Sequence, residues 1–127
     1  MSKEDGFSVA SRLESFRCAF RGVWTILVSQ HNARIHLLAT VCACSLGLLI
    51  RISLLEWCAI VIAIAMVWTA EALNTALEFL CDVASPEFHP LVQKAKDVAA
   101  AAVLCSAIGA AVIGLLVFGP HLLRIAG

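Results

Sequence analysis

Between Val98 and Phe118 lie 21 consecutive residues without a charge. As a helix rising about 1.5 Å per residue, this run is long enough to cross a hydrocarbon core of about 30 Å. A surface helix of a soluble domain carries a charged or polar face, and this segment lacks the charges to make one. The whole chain agrees: of its 127 residues 61% are apolar and 14% charged, against about 45–50% and 25% in soluble domains. One small polytopic membrane domain is the class that fits. Nine bases balance nine acids, and with no basic tract the chain is not suited to nucleic acid as a partner.

Two more apolar stretches precede this one. Ile35–Ile50, interrupted by His36, is short for a span and draws length from Arg34, giving an expected first span over 34–50. Ile52–Leu80 carries Glu56, Glu71 and Glu78 around an uncharged heart, Trp57–Ala70, and the expected second span is 53–81. The third is expected over 96–119. Ser53-x-x-Glu56 reads as a capping box opening the second span, with Ile52 and Trp57 as its hydrophobic staple. Arg51 to Ser53 is then a tight turn, and 82–95, with Ser85-Pro86 and His89-Pro90, a polar loop.

Residues 11–33 follow a different pattern. Leu13, Phe16, Phe20, Val23 and Leu27 recur at three- and four-residue steps, with Glu14, Arg17 and Arg21 between them. An amphipathic helix with basic residues on its polar side is expected, suited to a membrane surface or to packing on protein. Ser11-x-x-Glu14 is its candidate capping box, and residues 1–10 are expected to be a flexible N-terminus. Seven bases on the N-terminal and 82–96 side, against Arg51 and Arg124 on the other, place the former in the cytoplasm. The six cysteines (18, 42, 44, 58, 81, 105) form no C-x-x-C and read as small buried hydrophobes. No secretory signal is expected, because residues 1–33 mix charged and apolar positions. In the third span Ala102, Ser106, Ala110 and Gly114 fall four apart, a spacing that lets another helix approach closely.

The residues that point to chemistry are Glu71, Asn74, Glu78 and Asp82. At about 100° per residue they occupy about 80° of the helix circumference. A charged side chain at the bilayer centre costs roughly 2.5–3.5 kcal/mol on the insertion scale, so Glu71, which directly follows Ala63–Ala70, demands water, a metal or a partner. Lys96-Asp97 opens the third span from the same side, after Glu87 and His89. Carboxylates suit Mg²⁺ with phosphates, and a lysine neutralises phosphate oxygens. Phosphoryl transfer needs positioning, charge neutralisation and a base. No P-loop or protein-kinase motif is present. Of the remaining histidines, His36 reads as interfacial or packed, and His121, after Gly119-Pro120, as carrying no chemistry. A small transporter would also place acids in membrane helices, and a non-catalytic assembly subunit would fit the small-residue stripe.

Glu71-Ala-Leu-Asn74-Thr-Ala-Leu-Glu78, then Asp82, Ser85-Pro-Glu-Phe-His-Pro90 and Ala95-Lys-Asp-Val-Ala-Ala-Ala-Ala-Val103 resemble the small prokaryotic membrane kinases of the diacylglycerol kinase and undecaprenol kinase family. The resemblance runs from about Phe16 to Phe118, and Arg34-Ile-His36-Leu and Leu55-Glu-Trp57 resemble the undecaprenol branch more closely. It implies an all-α integral membrane kinase that is a homotrimer, each chain having three transmembrane helices and an amphipathic surface helix. It implies ATP and Mg²⁺, a lipid alcohol as acceptor, undecaprenol ahead of diacylglycerol, and a composite cytoplasmic site between subunits in the bacterial inner membrane. By position Glu71 matches the general base, which also touches the lipid, and Glu78 the metal ligand on the nucleotide side. Asn74, Glu87, His89, Lys96 and Asp97 match ATP contacts, Ser15 and Cys18 flank the nucleotide, and Arg12 matches a lipid-guiding position. The family pattern has a second metal-binding glutamate shortly before Arg-Ile-His. This chain has Gln30 there, a neutral carbonyl oxygen beside the nucleotide in place of a carboxylate.

Overall fold

The computed structural model describes residues 8–127 as four helices: α1 (Val9–Ser29), α2 (His31–Ile50), α3 (Leu54–Ala84) and α4 (Pro90–Ala126). The expected flexible N-terminus falls outside the described residues up to residue 7, and Val9 and Ala10 are already helical. By length and composition α2, α3 and α4 could each cross a membrane. The most extensive packing is between α3 and α4, with α2 and α1 laid against them.

Local chemistry explains each boundary. α1 starts at Ser8, whose side chain makes no cap bond, and not at Ser11, which lies within the helix. Glu14, the expected cap partner, instead faces Arg17 and Arg21 at 3.9 and 4.0 Å. The surface segment expected to reach residue 33 ends at Ser29, because Gln30 is extended (φ −112°, ψ 119°) and α2 begins at His31. Arg34 holds this break: its Nε donates to the Leu27 carbonyl at 3.1 Å and its Nη2 to that of Val28 at 2.9 Å. Those are carbonyls that a helix C-terminus leaves without an intrahelical donor.

Ile50 passes to α3 through Arg51 in the left-handed conformation (φ 55°). The capping box is formed as expected, with Ser53 N donating to Glu56 at 2.7 Å and Glu56 N to Ser53 Oγ at 3.2 Å. Ile52, Ile60 and Val117 form the buried apolar cluster at this end, with Trp57 packed against it. The polar loop is far shorter than 82–95. α3 continues to Ala84, and α4 starts at Pro90, capped by His89, whose Nδ1 accepts from Leu91 N at 3.2 Å. Proline in the first turn gives up no hydrogen bond, since that N–H has no partner in a helix. At the far end α4 runs through Pro120 to Ala126 and past the expected 119. Gly119 has no Cβ to meet the proline ring, which removes part of the clash that ends helices before proline.

Two expectations about side chains are corrected. His121 is not inert, because its Nε2 lies 3.0 and 3.2 Å from the two Glu56 oxygens and ties the end of α4 to the start of α3. Of the cysteines Cys81 is buried and Cys44 half-buried, but Cys18, Cys42, Cys58 and Cys105 face outward. The small-residue stripe is divided as well. Ala102 and Ser106 line an outer groove between α3 and α4, while Ala110 and Gly114 line another among α2, α3 and α4. Four-residue steps drift by about 40° each on a straight helix, so one stripe cannot stay on one seam.

Candidate functional site

Glu71 is 1% exposed and is the largest fully buried side chain of the described residues. It sits on α3 among Asn74 and Thr75, which are also buried. Thr75 Oγ1 donates to the Glu71 carbonyl at 2.9 Å and so satisfies itself along the helix. The Glu71 carboxylate has no such closure. Its Oε2 makes no hydrogen bond, and the nearest cationic candidate is His36 Nε2 of α2, 3.6 Å away and itself without a partner. Asn74 Oδ1 is the third buried polar atom left open. Buried polar groups are almost always paired, and each exception needs a reason. Here all three residues line one cavity of about 300 Å³.

Gln30 and Glu78 close the same cavity. Gln30 Nε2 donates to Glu78 Oε2 at 3.1 Å, and Asn74 Nδ2 to Glu78 Oε1 at 3.0 Å. The break at Gln30 therefore brings a side chain from between α1 and α2 onto the acidic face of α3. One glutamate is held by two neutral amides, and a second is buried about two turns away with an oxygen free. Among the described residues no three His, Cys, Asp or Glu side chains form a metal-holding group. Mg²⁺ fits this donor set in the way it binds nucleotides, through one or two carboxylates plus phosphates and water. Glu78 with the amide oxygens of Gln30 and Asn74 supplies hard ligands, and the open Asn74 Oδ1 is one of them.

A second polar cavity, about 320 Å³, lies where α3 passes to α4 and is lined by Asp82, Glu87, His89, Gln93 and Lys96. Lys96 Nζ donates to Asp82 Oδ1 at 2.6 Å, which fixes the ammonium at the cavity wall. Asp97 accepts from Gln93 Nε2 at 2.9 Å and does not line the cavity. Gln93 escapes a reading of the sequence, because an amide on an exposed first turn carries no pattern of its own. The sequence reading of His36 as interfacial or packed misses its approach to Glu71, although it is the one histidine in the first apolar stretch. Arg12, Ser15 and Cys18 lie on exposed positions of α1 and line neither cavity.

Below the Glu71 cavity an apolar groove of about 340 Å³ runs among α2, α3 and α4. Ile35, His36 and Ala107 belong to both spaces. An apolar channel thus opens onto a buried carboxylate, with amide and carboxylate oxygens on the other side. Such a site can bring a hydroxyl carried on an apolar chain to a base.

Residues 17–118 match the family model of prokaryotic diacylglycerol kinase. The chain is 38% identical over 109 residues to an undecaprenol kinase of Bacillus subtilis (strain 168), covering 86% of this chain and 89% of that protein. It is 34% identical over 125 residues to a diacylglycerol kinase of Synechocystis, covering 97% of this chain and 71% of that one. A diacylglycerol kinase of Helicobacter pylori is 35% identical over 71 residues, 56% of this chain and 52% of the relative.

Proposed function

The chain belongs to the prokaryotic diacylglycerol kinase family and is a lipid kinase, and from that premise we propose that it transfers the γ-phosphoryl group of ATP to undecaprenol. The observation that carries the chemistry is Glu71, buried, with one oxygen unpaired in a cavity that meets an apolar groove. The lipid hydroxyl gives its proton to Glu71 as its oxygen bonds to the γ-phosphorus. The bond from that phosphorus to the ADP oxygen breaks, and the products are the lipid phosphate and ADP. A base positioned in this way contributes about 10²–10⁴ in rate.

Glu78, Asn74 and Gln30 hold the nucleotide side, and Glu78 is the carboxylate for Mg²⁺. When bound, Mg²⁺ neutralises charge on the phosphate oxygens. Lys96, Glu87, His89 and Asp97 contact the nucleotide from the α3–α4 connection. Lys96 exchanges part of its pairing with Asp82 for phosphate. Ser15 and Cys18 flank the nucleotide and Arg12 guides lipid, with α1 lying on the membrane surface. Three chains form a homotrimer with composite sites on the cytoplasmic side of the bacterial inner membrane, an orientation supported by the excess of bases on that side.

Diacylglycerol is the second reading, favoured by the Synechocystis relative, which aligns over nearly all of this chain. Apolar contacts discriminate weakly, by about 1–3 kcal/mol per methylene, so the lipid is decided by competition. Purified protein in mixed micelles holding both lipids, supplied with labelled ATP, is expected to label undecaprenol in preference. Preferential labelling of diacylglycerol would reverse the order, and labelling of neither would end the kinase reading.

A further inference from the structure

We infer that His36 is a positioning residue for Glu71: its ring Nε2–H donates to Glu71 Oε2 and turns the other carboxylate oxygen toward the acceptor hydroxyl. This rests on the kinase reading above. His36 Nε2 and Glu71 Oε2 are both buried without a hydrogen bond, on different helices, and they face each other at 3.6 Å. A ring nitrogen and a carboxylate oxygen are complementary when the nitrogen carries the proton. Leaving both unmade in a buried place is costly, and no other group of the described residues satisfies either. Catalytic hydrogen bonds are often long in a protein without substrate and tighten when the complex forms. A separation of 3.6 Å needs only a small rotation to close.

Location supplies the second part. His36 is one of the few residues shared by the polar cavity and the apolar groove. A hydroxyl at the end of an apolar chain rising through the groove would meet this ring and the Glu71 carboxylate together. The polar groups that share the cavity with the pair are Gln30, Asn32, Asn74 and Glu78, and its aliphatic lining includes Val103 and Ala107 of α4. None of these four is bonded to Glu71 Oε2, which leaves His36 to orient it. Backbone support for the ring is local: Thr40 Oγ1 donates to the His36 carbonyl at 2.7 Å and accepts from Trp68 Nε1 at 3.0 Å. That chain of bonds fixes α2 against α3 at the level of the pair.

The test compares the parent protein with H36A, H36Q and H36L in lipid micelles, separating kcat from the KM for ATP. H36A is expected to lose 10- to 100-fold in kcat with ATP KM within about twofold, since His36 does not reach the nucleotide side. H36Q, whose amide keeps an N–H donor, is expected to recover at least a third of the lost logarithm of rate. H36L, which fills a similar volume without a donor, is expected to show no such rescue, and rescue by H36L equal to that by H36Q would mean a packing role. A second measurement avoids the risk that H36A misfolds. Ring ¹⁵N shifts of His36 in labelled parent protein, assigned by the signal missing in H36Q, are expected to change in E71Q. Full kcat in a folded H36A, or His36 shifts indifferent to E71Q, would overturn the inference while leaving the kinase reading intact. A parent protein that phosphorylates no lipid would overturn both.

Discussion

At the scale of single residues, Glu71 and Glu78 lie two turns apart on one helix face, yet their surroundings differ. Glu78 has both oxygens bonded to amides, while Glu71 keeps one open and buried. With Oε2 facing His36, the other Glu71 oxygen is the one to take a proton, whereas an oxygen already bonded by amide donors is poised for exchange with a cation. Glu71→Gln is therefore expected to lower turnover by about 10²–10⁴ with ATP binding within a few-fold of the parent. Single-turnover phosphorylation and equilibrium nucleotide binding, measured side by side, check it. Gln30→Glu probes the other glutamate. It replaces a donor 3.1 Å from Glu78 with a second carboxylate, and like charges so placed repel unless a cation lies between them. The variant should melt earlier than the parent in chelator and recover in Mg²⁺. Its half-maximal rate should come at lower free Mg²⁺, because affinity for this ion depends on ligand charge. An unchanged or right-shifted Mg²⁺ titration would mean that Gln30 is not at the metal.

At the scale of helices, the sequence was most readable where one residue type has one local use. Ser53 and Glu56 could form a capping box and did, and the acidic stripe from Glu71 to Asp82 followed from the helical period alone. The boundaries near Gln30, Pro90 and Pro120 were not readable in the same way. Proline is both a loop residue and a first-turn residue, and which it is depends on a cap that His89 supplies through a side-chain bond. The break at Gln30 depends on Arg34 reaching back seven and six residues, a tertiary event with no periodic signal. The approach of His36 to Glu71 and the pairing of His121 with Glu56 bring together residues far apart in the chain, and periodicity says nothing about them. Two substitutions test the element-level account. Ser53→Ala removes the cap and should cost about 0.5–2 kcal/mol of stability, with lipid KM unchanged because the cap is at the end away from Glu71. Gly47→Ala sets two effects against each other. Helix propensity favours alanine by about 1 kcal/mol, but the new Cβ would lie 2.9 Å from two atoms of the Trp57 ring and 3.1 Å from Ile52. Overpacking costs typically about 1–3 kcal/mol, so the net effect should be a loss of up to about 2 kcal/mol, read from thermal melts in detergent.

At the scale of the whole molecule, one chain gathers only part of the residues assigned to the nucleotide. Gln30, Asn74 and Glu78 share one cavity, and Glu87, His89 and Lys96 share another on the same side of the fold. α1 contacts α3 and buries Ile26, while Arg12, Ser15 and Cys18 line neither cavity. If Ser15 and Cys18 flank a nucleotide, the cavity they serve belongs to a neighbouring chain, which is what a composite site in a homotrimer requires. Subunit mixing tests this directly. Cys18→Trp places a large ring where the nucleotide would pass if α1 flanks it, and Glu71→Gln removes the proposed base. Each variant alone is expected to be nearly inactive. In oligomers formed from both, some sites combine an intact Glu71 cavity from one chain with an intact α1 from another. Phosphorylation should then reappear well above either variant alone, and only after the chains have been unfolded and reassembled together. Activity that stays at the level of the separate variants, in oligomers shown by affinity tags to contain both, would mean that each chain completes its own site and that α1 contacts no neighbouring nucleotide.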